Sequence, residues 1–145
     1  MRLLVCGSAP RRRAGAPGWT SRRLLEEVLD RVVFDAIAAG GPAPTLVEGG
    51  AEGADRMGRA WAERHGFDVE THEADWSRGP GAGPARNRAM LATGIDQVFA
   101  FSTSWPATPG TADMCRIAVD AGVPVLFVTP DGTERAFHAP VLPLA

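Results

Sequence analysis

Lysine is absent from this chain of 145 residues, and all 15 basic residues are arginine. Whatever coding bias lies behind it, that absence excludes a Schiff-base lysine and the phosphate-binding lysine of a Walker loop. Cysteine is nearly absent. Cys6 and Cys115 stand alone in apolar contexts and read as buried thiols in a reducing compartment, so a cytoplasmic protein is expected. The histidines, His65, His72 and His138, show no metal-ligand spacing with one another or with cysteine, and neither a metal nor another cofactor is expected. No apolar run approaches the length of a membrane span, and "MRLLVCGSAP" is interrupted too early for a signal peptide. An excess of one charge is also lacking. Fifteen basic against 17 acidic residues leave a formal net charge of -2, which argues against a membrane surface or nucleic acid as a partner.

What is present is a regular alternation. A hydrophobic content of 45% and this length suit one domain with one core, residues 1–145. "RLLVCG", "PTLVEGG", "FDVETHEA", "DQVFAFS" and "VPVLFVT" read as strands. Between them lie helical patterns. The first carries Leu24, Leu25, Val28, Leu29, Val32, Val33, Ala36 and Ile37 in two columns, with Thr20 or Ser21 as its cap and Gly40-Gly41-Pro42 as its stop. The second, "GADRMGRAWAERHG", puts Ala54, Met57, Gly58, Trp61 and Ala62 on one face. "PARNRAMLATG", begun by Pro84, and "TADMCRIAVDAG" are the third and fourth. The expectation is an α/β fold: one three-layer αβα domain with a mostly parallel sheet of about five strands, and residues 129–145 as a surface tail. Exposed apolar helix faces would suit a homodimer.

In such folds a ligand sits beyond the carboxyl ends of the strands. Three small-residue loops fall there. Gly7-Ser8 offers backbone access and a hydroxyl, or an ordinary turn. "EGGAEGAD" holds Gly49 and Gly50, which permit close backbone approach, and Gly53, which lets the next helix pack tightly. Its acids, Glu48, Glu52 and Asp55, point away from phosphate. Asp55 would take ribose hydroxyls or simply cap the helix. Gly110-Thr111 offers a cap hydroxyl and free amides, suited to phosphate. Arg86, Asn87 and Arg88 in "GPARNRAM" set positive charge near a helix start, unfavourable for the dipole but favourable for phosphate; a solvated face is the plainer reading. Trp76 and Trp105 either stack on a base or plug the rim of the core. The Arg11 to Arg13 triplet gives a third reading, an interaction module that contacts a partner protein or nucleic acid, the weakest of the three because the triplet is local on an otherwise neutral chain.

Three motifs, "GGAEGAD", "ADWSRGPGAGPARNRAM" and "PGTADMCRIAVDAGVPV", resemble the YspA/cpYpsA-related branch of the SLOG superfamily, related to the Smf/DprA and LOG proteins, over roughly Leu3 to Val128. The resemblance implies a Rossmann-like fold and a nucleotide or nucleotide-derived ligand, sensed or processed in bacterial or phage conflict or stress. The related LOG enzymes cleave the N-glycosidic bond of nucleoside monophosphates with an arginine and glutamates that follow a glycine-threonine pair. Arg86, four residues before Met90, matches the arginine, and Gly110-Thr111 matches the pair. Asp113 falls on the first glutamate and Met114 on the second. The resemblance thus makes Asp113 and Arg86 the candidate catalytic residues, with one acid fewer than that chemistry uses. The first loop departs from the family pattern, with Ala9 and Pro10 after the glycine-serine pair and arginine arriving only at Arg11.

Overall fold

The computed structural model describes residues 1–11 and 15–138. The chain runs β1 (Arg2–Gly7), α1 (Arg22–Ala38), β2 (Thr45–Glu48), α2 (Ala54–Arg64), β3 (Asp68–Thr71), a one-turn 3-10 helix (Trp76–Arg78), α3 (Ala82–Leu91), β4 (Gln97–Phe101), α4 (Pro109–Asp120), β5 (Val125–Val128) and β6 (Glu134–Phe137). The strands form one sheet in the order β3-β2-β1-β4-β5-β6. All pairings are parallel except β5 with β6, which run antiparallel.

Strand β1 sets the layering. Successive side chains of a strand point to opposite faces, so an all-apolar "LLVC" must be covered on both. Leu3 and Val5 join Leu25, Leu29, Val33 and Trp61 beneath α1 and α2. Leu4 and Cys6 join Met90, Met114, Ala118 and Val119 beneath α3 and α4. Helix α1 buries Leu25, Val28, Leu29 and Val33, and Ser21 caps it, its hydroxyl accepting from the Leu24 N–H at 3.3 Å. Helix α2 approaches β1 closely because Gly58 has no side chain: a Cβ there would stand 3.1 Å from Val5 Cγ1. That tight packing had been expected of Gly53.

Two elements differ from the sequence reading. The stretch read as a surface tail supplies β6, which makes the sheet six-stranded instead of five. Trp105 holds it in place, stacked on Phe137 with ring centroids 5.8 Å apart and 4.5 Å from the Arg135 guanidinium. Residues 139–145 lie outside the described residues, as do Arg12 and Arg13. Helix α3 starts two residues earlier than Pro84, at Ala82. Among the described residues, the exposed large hydrophobic side chains are Phe34, Trp76 and Trp105, of which Phe34 alone lies on an α-helix. No helix is long and apolar enough to cross a membrane among these residues.

Candidate functional site

The sheet order reverses between β1 and β4, and the crevice of an α/β fold opens where neighbouring strands send their connections in opposite directions. A cavity of about 410 Å³ lies at that position. Its wall takes Cys6 and Gly7 from the end of β1, Ala9, Pro10 and Arg11 from the loop beyond, and Ala51 and Asp55 from the β2–α2 turn. Trp76 and Pro80 come from the 3-10 segment, Gly83, Pro84, Arg86, Asn87 and Met90 from α3, and Thr108 to Thr111 with Asp113 from the start of α4.

Of the residues singled out from the sequence, Gly7, Asp55, Trp76, Arg86, Asn87, Gly110, Thr111 and Asp113 line this cavity, whereas Ser8, Gly49, Gly50 and Gly53 do not. The latter four serve the fold. Ser8 is buried, and its hydroxyl accepts from the Thr103 N–H at 3.0 Å, which ties the loop after β1 to the loop after β4. Gly53 caps α2 at φ 97°, a conformation that favours glycine. Gly50 donates its N–H to Glu48 Oε1 at 2.8 Å. Gly49 accommodates an internal partner, since a Cβ there would collide with the Arg86 guanidinium.

The acids of "EGGAEGAD" close the loop on itself. Glu48 is fully buried and accepts from Arg59 Nη2 at 3.1 Å, from Thr71 Oγ1 at 2.5 Å and from the Gly50 N–H. Asp55 Oδ2 accepts from the N–H groups of Gly49 at 3.0 Å and Ala51 at 3.3 Å, so one of the two oxygens expected for ribose is already engaged. Burial, against the pull of those amides, pushes the Asp55 carboxyl up to about 6.

Helices α3 and α4 build the opposite wall. Arg86 lies in mid-helix, not at the helix start, and reaches back across the cavity. Its Nη1 donates to the Gly49 carbonyl at 2.7 Å and the His72 carbonyl at 3.3 Å, and its Nε donates to Asn87 Oδ1 at 3.1 Å. Asn87, 5% exposed, donates from Nδ2 to Asp113 Oδ2 at 3.0 Å and to the Gly110 carbonyl at 3.3 Å. Arg116 donates to the other oxygen of Asp113 at 3.0 Å. The N-cap of α4 is Thr108, with Pro109 at the first helical position; Thr111 is inside the first turn and buried. Proline has no N–H to leave unpaired, so it favours that position and moves the cap one residue before itself. The first intrahelical bond is the Ala112 N–H to the Thr108 carbonyl at 2.8 Å, so the amides of Gly110 and Thr111 precede it. First-turn amides, a guanidinium and two carboxylates thus face one space.

A protein-family model, that of the YspA, cpYpsA-related SLOG family, matches residues 1–79, more than half the chain. The chain belongs to this family. No curated protein matches it. Membership associates the SLOG domain with nucleotide-related ligands in general. The matched span carries β1 to β3 and the Asp55 wall of the cavity; Arg86, Asn87, Thr111 and Asp113 lie beyond it.

Among the polar or titratable side chains of the cavity wall, Cys6, Arg11 and Thr108 escaped the sequence reading. Cys6 had been taken as a buried core thiol, although its place beside Gly7 at the end of a strand was a signal for the site. The Cys115 thiol beside it, and then burial, hold the Cys6 thiol well above the usual cysteine range, which makes it a poor nucleophile. Arg11 was noted as part of a triplet but not as a cavity residue. Thr108 falls in the stretch "TSWPATPG", which reads as a loop, while Thr111 reads as the cap.

The raised Asp55 carboxyl has a consequence for the SLOG domain's stability. The folded state holds this proton more tightly than the unfolded chain does. Its contribution is therefore full below about pH 4 and is lost as pH rises through about 6, roughly 3 kcal/mol in all. Urea unfolding at pH 4, 5, 6 and 7 is expected to show Asp55→Asn gaining on the parent by about that amount across the window. A difference between the two proteins that does not change with pH would show that burial does not raise this carboxyl.

Proposed function

We propose that the cavity binds a nucleotide or nucleotide-derived small molecule, and that the protein senses this ligand without turning it over. The setting is the bacterial or phage conflict or stress response that the resemblance implies. The carrying observation is that Arg86 and the first-turn amides of α4 face the same cavity as Asp55. Amides at a helix start and a guanidinium suit phosphate. Asp55 and Ala51 suit the sugar. Trp76, 63% exposed, lines the cavity and is packed against Gly83, where a Cβ would stand 2.8 Å from Cη2; an exposed indole there suits stacking on a base. The volume of about 410 Å³ is in the range of small-molecule sites. Mass spectrometry of small molecules released from the natively purified protein tests this reading. A nucleotide derivative in stoichiometric amount is expected; a consistently empty protein that binds none of the common nucleotides contradicts it.

The second reading, a phosphoribohydrolase, is favoured by Asp113 in the cavity wall. N-glycosidic cleavage passes through an oxocarbenium-like state that needs a carboxylate for the sugar or the water and an acid for the leaving base. Met114, where the second acid of the related enzymes falls, is fully buried in the core. Asp55, the other carboxyl in the wall, has Oδ2 committed to the Gly49 and Ala51 amides. Incubation with nucleoside monophosphates, followed by chromatography for free base, is expected to show little or no release. Robust release that Asp113→Asn abolishes while binding persists would put the enzyme first.

A further inference from the structure

Of the two carboxylates in the cavity wall, Asp55 and Asp113, Asp55 is the buried one, at 5% exposed. Its two oxygens have different surroundings. Oδ2 is occupied by the Gly49 and Ala51 amides. Oδ1 has no hydrogen-bond partner among the described residues, and Asp55 itself lines the cavity.

Charged and titratable groups face Asp55 from each neighbouring element. Glu48 on β2 lies behind it and disfavours its charge, while Arg86 on α3 favours it. Cys6 on β1 stays protonated. Arg11 and Asp113 line the same cavity. Arg86 is therefore the nearby cation that steadies an ionised Asp55. A ligand phosphate drawn to Arg86 cancels that help, and a ligand seated over Oδ1 removes its remaining water. Both changes favour the neutral carboxyl.

We infer that Asp55 receives its ligand as a neutral carboxylic acid, donating the Oδ1 proton to an acceptor atom on the sugar or base, so that binding takes up a proton from solution. This rests on the ligand reading above and deepens it. The site then selects ligands that present an acceptor at Asp55 and rejects those that present only donors there. With the free carboxyl at about 6, most molecules at pH 7 lack the proton and gain it on binding.

The test is calorimetric titration with AMP, GMP, CMP and UMP at pH 7, in two buffers of different ionisation enthalpy, on the parent and on Asp55→Asn. The nucleotide phosphate also titrates, so the informative quantity is the parent's proton count minus the variant's. The parent is expected to take up at least about half a proton more. Equal counts, or a relative release of protons by the parent, overturn the inference and leave the ligand reading standing. Binding of none of the four, by a protein that also carries no nucleotide derivative when natively purified, removes the ligand reading and the inference with it. Where Asp55→Asn does not fold, the infrared difference spectrum of the parent on adding nucleotide decides: a new protonated-carboxyl band supports the inference, and its absence overturns it.

Discussion

Replacing Gly7 by alanine is expected to destabilise the fold by about 3 kcal/mol or more. The added Cβ would lie far inside contact distance of the Phe101 carbonyl oxygen and 2.7 Å from Ala54 Cβ. Neither neighbour can swing aside. Phe101 O is backbone on β4 and accepts the Ser8 N–H at 3.0 Å, and Ala54 is the first residue of α2. Relief therefore requires β1 to part from β4 or α2 to lift from the sheet, at the place where the cavity opens. Denaturant unfolding of parent and variant measures the loss. A change below about 1 kcal/mol would mean that the crevice yields without cost.

Arg86→Ala carries the second large effect. Losing a charge-assisted hydrogen bond to phosphate is expected to cost about 1.5–3 kcal/mol of binding, or roughly a ten- to 150-fold weaker affinity. Arg86 also clamps the Gly49 and His72 carbonyls, so some stability goes with it. Arg86→Lys separates the two roles, because it keeps the charge and loses the planar fork. Calorimetry on whichever nucleotide binds, alongside unfolding curves, reads both. Unchanged affinity in the alanine variant would leave Arg86 as a structural clamp only.

The fold was largely legible in the sequence. A strand that reads "LLVC" needs cover on both faces, and amphipathic helices follow each of the first two strands. β6 was not legible, because "ERAF" is short and half-polar; it is set by Trp105 packing on Phe137 and Arg135, and such a contact is visible only in three dimensions. At the site, Arg86 and Asn87 were legible as positive and polar side chains near a helix start, and Asp113 was legible only through the resemblance. The glycines were half legible. Their number announced close approach, but periodicity cannot tell whether a ligand or another side chain approaches. At Gly49 it is Arg86. Ser8 and Asp55 show the same limit: a polar side chain just after a strand or in the first turn of the next helix serves the loop as readily as a ligand, and only the hydrogen-bond partners decide.

The interlock of Gly49 with Arg86 makes the two positions conditional on each other over a separation of 37 residues. A Cβ at position 49 would push the Arg86 guanidinium, the far end of a flexible side chain, out of its present place. A substitution in the turn is therefore felt on the opposite wall: it moves the arginine without altering it, so a change at position 49 reads out as a change at Arg86.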